Sequence, residues 1–155
     1  MRNKWATAGF VGLLLLPAGI FRTFAGDSLY GTVTAVRSAE VVVFDYDTGQ
    51  YVVRIVGINA PKDTSLARQA TQFVANLVLK KRARIRFEGR INGQMVSQLF
   101  TADSLVPIKD VGLELVRAGL ARRQATYDYK YGELSAAEKE ARQARRGLWA
   151  AAPPR

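Results

Sequence analysis

From Leu29 onward the hydrophobic positions change period several times, and each change marks an element. Tyr30 to Val36 alternates and is rich in Thr and Val, and Val41 to Phe44 is a continuous apolar run. Asp47-Thr48-Gly49 is a turn signal, after which Tyr51 to Val56 resumes strand chemistry, so the first third of the domain reads as a three-strand meander. Pro61 stops the third strand, and Asp63, Thr64 or Ser65 can cap the helix that follows. Leu66, Ala70, Phe73, Val74, Leu77 and Val78 share one helical face, which ends at Lys80-Lys81. Ala83, Ile85 and Phe87 then alternate with Arg82, Arg84, Arg86 and Glu88, as in a half-exposed strand. Asn92-Gly93 is a hairpin turn, and Met95 to Thr101 returns as a strand. Pro107 precedes a helix with Asp110 as cap and Gly119 as stop. Ser135-Ala136-Ala137-Glu138 reads as a capping box opening a last helix through Arg146, which Gly147 ends. The apolar face of that helix (Ala137, Ala141, Ala144) is thin, so Leu148 and Trp149 are expected to anchor it. Five strands and about three helices in this order predict an α+β fold: a five-stranded Greek-key β-barrel of the oligonucleotide-binding (OB) type, preceded by an N-terminal apolar segment.

That segment has a different grammar. Arg2 and Lys4 precede an apolar run from Trp5 to Leu16, broken by Pro17-Ala18-Gly19, and Ala25 offers a small residue at a cleavage position. Trp5 to Phe21 supplies 17 apolar-leaning residues, the lower limit for crossing a bilayer. Residues 1–25 are therefore expected to be a signal peptide or a signal anchor, 29–149 the domain, and 150–155 a tail. The protein is expected to be exported (periplasmic or extracellular) or membrane-anchored through residues 5–21, with the domain on the far side of the membrane.

Composition narrows the chemistry. With 155 residues and no Cys, disulfides and thiolate metal sites are excluded. The absence of His removes the commonest zinc ligand and the usual neutral-pH proton shuttle. A formal charge of +10 favours a polyanionic partner, nucleic acid or an anionic membrane surface, over simple solubility.

Val53-Arg54-Ile55-Val56-Gly57-Ile58-Asn59-Ala60-Pro61-Lys62 resembles the active-site strand of the staphylococcal nuclease (thermonuclease) family, where the run reads approximately V-R-L-x-G-I-D-A-P-E. Leu115-Val116-Arg117-Ala118-Gly119-Leu120-Ala121 is similar to that family's LV-x-x-GLA. Ala137-Glu138-Lys139-Glu140-Ala141-Arg142 and Gly147-Leu148-Trp149 resemble its AE-x-x-AR and GLW close. Together, in this order, they cover nearly everything past residue 30. The resemblance implies a calcium-dependent phosphodiesterase in which the Arg holds the scissile phosphate, the Asp binds calcium and the Glu is the proposed activator of water.

Matched position by position, the chain departs from that pattern. Arg54 is kept. Asn59 stands for the calcium-binding Asp and Lys62 for the Glu. Ser38-Ala39-Glu40-Val41-Val42 aligns with a family D-G-D-T-V, so Glu40 replaces a second ligand Asp with one methylene more. Arg90-Ile91-Asn92-Gly93-Gln94 aligns with D-R-Y-G-R, and Gln94 replaces the second phosphate-clamping arginine. An ammonium at Lys62 is no general base at neutral pH and sits where a cation would bind. Arg54 and Glu40 are thus the residual family positions, Asn59, Lys62 and Gln94 the losses, and Glu40 with Asn59 the weak metal candidates. Groups that act together lose most of the rate when several are missing. Asp63 could replace Lys62 in a shifted register, but reads better as a helix cap; Asp45 and Asp47 read as turn chemistry.

The resulting expectation is a catalytically impaired nuclease-like domain that binds nucleic acid or another polyanion through Arg54, Lys62, the stripe Arg82, Arg84 and Arg86, and the tyrosines Tyr127 and Tyr129. No cofactor is expected on this reading. The alternatives are an active calcium-dependent nuclease with a rearranged site, the only reading that needs calcium, and an exported or anchored protein-interaction module.

Overall fold

The computed structural model describes residues 28–62, 65–103, 105–127 and 132–150. The apolar segment at 5–21 and its cleavage position, Asp63 and Thr64 as helix caps, Tyr129, and the tail beyond Ala150 lie outside the described residues. No described helix is long and apolar enough to cross a membrane.

Strands β1 (Ser28–Ser38), β2 (Val41–Tyr46), β3 (Gly49–Ile55), β5 (Arg82–Ile91) and β6 (Gln94–Thr101) close a barrel in the order β1-β2-β3-β6-β5. The expected five-stranded barrel is present. All pairings are antiparallel except β3 with β6, where Arg54 lies beside Val96. Register shifts in β1 at Val33/Ala35 and Val36/Ser38, and in β5 at Phe87/Gly89, bend strands that must curve to close. The interior holds Val33, Phe44, Val53, Ile85 and Leu99, all essentially without solvent contact.

Helix α1 (Ser65–Val78) closes one side: Ala70, Val74 and Val78 are buried, with Leu66, Phe73 and Leu77 packed at the margin. That is the predicted face. Helix α2 (Val111–Arg117) starts at Asp110, whose carboxylate accepts from Leu113 N at 3.2 Å, as expected of the cap. Two further strands, β4 (Ile58–Asn59) and β7 (Arg122–Arg123), pair only with each other. At two residues each they carry no readable periodicity.

The last helix differs from the sequence expectation at both ends. Helix α3 runs Glu133–Gln143, starting at Gly132 without a side-chain cap, so Ser135 lies inside the helix and forms no capping box. Leu134 explains the early start: it is 1 % exposed and joins buried Ala137 and Ala141, whereas Ala144 of the expected face is exposed. Glu138 is buried instead of capping, bridging Arg142 at 2.6 Å and Arg123 at 3.4 Å and so tying α3 to β7. The helix ends before Gly147. Arg146 N donates to the Ala141 carbonyl and Arg145 N to that of Arg142, with Arg145 in the left-handed region at φ 50°. A side chain held there costs about 1–2 kcal/mol relative to glycine. Arg145→Gly is therefore expected to raise the urea midpoint by an amount worth about 1 kcal/mol; an unchanged midpoint would show that the turn is not strained.

Helix α2 ends the same way, with Leu120 N donating to Leu115 O and Gly119 N to Val116 O. The two helix-closing turns meet backbone to backbone. Leu148 N donates to the Gly119 carbonyl at 2.8 Å, and Arg146 Nη1 reaches the Arg117 carbonyl at 3.1 Å. Trp149, buried as expected of an anchor, is flanked by the guanidinium carbons of Arg142 at 4.0 Å and Arg122 at 5.2 Å.

Candidate functional site

The β1–β2 turn places Glu40 beside the end of β3. Ile55 N donates to the Glu40 carbonyl at 2.8 Å, and the register sets Val41 opposite Arg54. From there the Glu40 side chain accepts a hydrogen bond at each oxygen. Arg54 Nη1 lies 3.0 Å from Oε2, and Ala60 N donates to Oε1 at 2.6 Å. The carboxylate is the deeper partner, 16 % exposed against 42 % for Arg54. Ala60 sits between Asn59 and Pro61, so one charged oxygen fixes the loop that continues the Arg54 strand.

A cleft of about 760 Å³ opens at this point, walled by the β1–β2 turn, the loop of Ala60 to Lys62, and α1. Arg37, Arg54, Lys62 and Arg68 line it, and Glu40 is the one carboxylate among its described lining residues. Thr71 and Gln72 add neutral hydrogen-bonding groups from α1. Four cations against one already paired anion leave the cleft positive, which suits a phosphate-bearing ligand.

The structure brings together some of the sequence candidates and separates others. Arg54, Glu40 and Lys62 share the cleft. Asn59 does not line it; it is exposed in β4, opposite Arg122. Gln94 opens β6 opposite Ile91 and is also absent from the cleft wall. The stripe forms a separate surface: Arg82, Arg84 and Arg86 pair with Thr32, Tyr30 and Ser28, in the first half of β1, whereas Arg37 and Ser38 lie at its other end. The Arg84 guanidinium stacks on Phe100 at 4.5 Å, and Arg86 Nε is 3.7 Å from Glu88. Tyr127 is 37 % exposed in a single 3₁₀ turn, Ala125–Tyr127, and does not reach the cleft. Asp45 accepts from Thr34 and Gln50, and Asp47 sits at φ 54° in the β2–β3 turn, so both serve the turn.

Arg37 and Arg68 were not among the sequence candidates. Arg37 directly precedes the Ser38–Val42 run, and Arg68 lies in the first turn of the helix after Lys62, so proximity to the two motifs was the available signal. The Ala60 N–H had none, because a backbone donor is invisible in residue identities.

The fold is thus a closed barrel of OB type with a cationic cleft where the first turn, the third strand and α1 converge. The chain belongs to the family described as Staphylococcal nuclease homologue, which matches residues 52–151. The match takes in Arg54, Asn59, Lys62 and Gln94 and begins after Glu40. Among relatives, a protein named probable endonuclease lcl3 from Pyrenophora tritici-repentis is 33 % identical over 114 residues, covering 63 % of this chain and 41 % of that protein. A probable endonuclease LCL3 from Colletotrichum graminicola is 31 % identical over 112 residues, 63 % of this chain and 40 % of its own. A protein named uncharacterized endonuclease from Escherichia coli O157:H7 is 29 % identical over 128 residues, 81 % of this chain and 80 % of its own. The chain thus spans about two fifths of the length of the fungal relatives.

Proposed function

We propose that the domain binds single-stranded nucleic acid, or a polyanion of the same phosphodiester chemistry, in the Arg37–Arg54–Lys62–Arg68 cleft and does not hydrolyse it. The observation that carries this reading is the state of Glu40. A hard cation such as calcium takes about six to eight oxygen ligands, several of them charged. Glu40 is the one carboxylate among the described lining residues and is ion-paired to Arg54, Asn59 is neutral and not among those residues, and Lys62 adds positive charge. Among the described residues no three His, Cys, Asp or Glu side chains converge. The donors present do not fit calcium. The names of the relatives favour the competing reading, calcium-dependent cleavage of nucleic acid. An exported or membrane-anchored location through residues 5–21 belongs to the same proposal and rests on the sequence.

Fluorescence anisotropy of full-length protein with labelled single-stranded DNA tests both halves, with calcium or a chelator present. Binding is expected to weaken with salt, with a log–log slope of about −2 to −3 for three or four neutralised phosphates. The DNA should stay full length in a denaturing gel. Calcium-dependent shortening would establish the nuclease reading instead, and lack of binding at low salt would remove nucleic acid as the ligand.

A further inference from the structure

Between β6 and α2 the chain leaves the barrel as a loop with a pinned neck and an apolar tip. Thr101 N donates to the Lys109 carbonyl at 3.0 Å, and Lys109 N donates to Thr101 Oγ1 at 2.9 Å. At the tip the Asp103 carboxylate accepts from Leu105 N at 3.0 Å, folding the loop on itself. Leu105 is 91 % exposed, Ile108 62 % and Val106 49 %. Single exposed aliphatic residues are ordinary on any protein surface. Three on one short protruding loop, around Pro107, form a feature that water disfavours and a partner can cover.

The foot of this loop is cationic. A cleft of about 220 Å³ there is lined by Lys81, Arg82 and Lys109 together with Val106, and Asp103 is its one acid among the described residues. Ala102 N donates to the Arg82 carbonyl at 3.2 Å, which holds the loop against the start of β5. From Arg82 the positive face continues along β5 through Arg84 and Arg86, because alternate strand residues share a face. Tyr30, 53 % exposed, stands opposite Arg84 on β1.

We propose that this surface is a peripheral docking site for an anionic bilayer. Leu105, Val106 and Ile108 enter the boundary between headgroups and acyl chains, and Lys81, Arg82 and Lys109 engage the lipid phosphates. The two halves of the surface select the same occupant. Apolar side chains gain by leaving water for the acyl boundary, cations gain from the negative surface potential, and an exposed tyrosine is at home at headgroup level. A nucleic-acid strand would satisfy the cations but leave the aliphatic tip in water. An apolar groove on a protein would cover the tip but make no use of the cations. The surface is separate from the Arg54 cleft, so the proposal stands independently of nucleic-acid binding.

The chain has no cysteine, so Leu105→Cys in the full-length protein carries a single environment-sensitive fluorophore at the tip. Gln50→Cys, near the start of β3, carries the same probe as a control. Both are mixed with vesicles of phosphatidylcholine alone or of phosphatidylcholine with phosphatidylglycerol, each with and without a shallow lipid-borne quencher. The expected result is a blue shift and quenching of the Leu105→Cys probe on anionic vesicles, with little response on neutral ones or from the Gln50→Cys probe. Adding Lys81→Glu and Lys109→Glu should raise the lipid concentration needed for that signal about tenfold or more. The readout is local to the tip, so insertion of residues 5–21 into the same vesicles does not imitate it. A Leu105→Cys probe that stays in water on both vesicle types overturns the proposal. A probe that responds to single-stranded DNA and not to lipid also overturns it, assigning the face to nucleic acid. An equal response on neutral and anionic vesicles overturns the role given to the cations.

Discussion

Replacing Gly119 with alanine is expected to cost about 3–5 kcal/mol, a large part of the stability of a domain this size. Two effects add. Gly119 has φ 71°, where a Cβ costs about 1–2 kcal/mol. The Cβ would also fall on the backbone of Arg146, with the carbonyl carbon at 2.6 Å and the carbonyl oxygen closer still. No flexible side chain is there to give way, so the turn after α3 must move. That turn carries the Leu148 N–H bond to Gly119 and leads into buried Trp149, and its displacement loosens the closure of the whole helical side. Gly147 shows the reciprocal crowding against the Gly119 backbone. Gly93→Ala is the matched control, because φ is 77° there but nothing lies within 4 Å of the added methyl. It should cost only the conformational share, about 1 kcal/mol. Urea unfolding of the two variants side by side measures the difference. Equal midpoints would mean that the meeting of the two turns contributes nothing.

Loss of Arg54 is expected to have the largest effect on the proposed ligand. Arg54→Ala should weaken binding of single-stranded DNA about 30-fold, within the range set by about 1.5–3 kcal/mol for a hydrogen bond to a charged group. The salt slope should fall by about 0.7 as one phosphate contact disappears. A guanidinium has five N–H donors; Glu40 is shown using Nη1, and the side chain is 42 % exposed, so donors face the cleft. Its removal also frees the Glu40 carboxylate to repel phosphate. Glu40→Gln should therefore tighten binding several-fold by releasing Arg54, and Arg54→Ala with Glu40→Gln should bind more tightly than Arg54→Ala alone. If Arg54→Ala folds and binds like the wild type, the cleft is not the site, and the Arg82–Arg86 face becomes the candidate.

The barrel was legible because each strand announces its own faces. Alternation in Arg82 to Phe87 and the apolar run Val41 to Phe44 survive without knowledge of the partner strand. The same holds for α1, whose buried face follows from spacing, and for Asp110 and Gly119, whose local preferences mark helix ends. The errors fall where a distant contact overrode a local signal. Ser135 and Glu138 look like a capping box, but burying Leu134 starts α3 earlier, and Glu138 instead bridges Arg123 and Arg142. Gly147 looks like the stop for α3, but Arg145 takes the left-handed turn, and Gly147 is needed where the two backbones meet. Strands β4 and β7 are too short to show a period.

The candidate site divides along the same line. Residue identities were enough to place the chain in its family and to raise the expectation that Asn59, Lys62 and Gln94 depart from the family's charges. Such expectations come from residue identities and need no coordinates. Which charges face one another is a property of the folded chain. Arg54 meets a carboxylate 14 residues before it, and that same carboxylate takes a backbone N–H 20 residues after it. Arg37 and Arg68 join the cleft from a strand and a helix, while Arg82, Arg84 and Arg86, a stronger basic signal in the sequence, lie on another surface. Hydrophobic period and turn preference act between near neighbours and so can be read along the chain. Electrostatic neighbourhood depends on distances that exist only after barrel closure, and it was closure that set the Glu40 carboxylate between Arg54 and the Ala60 N–H.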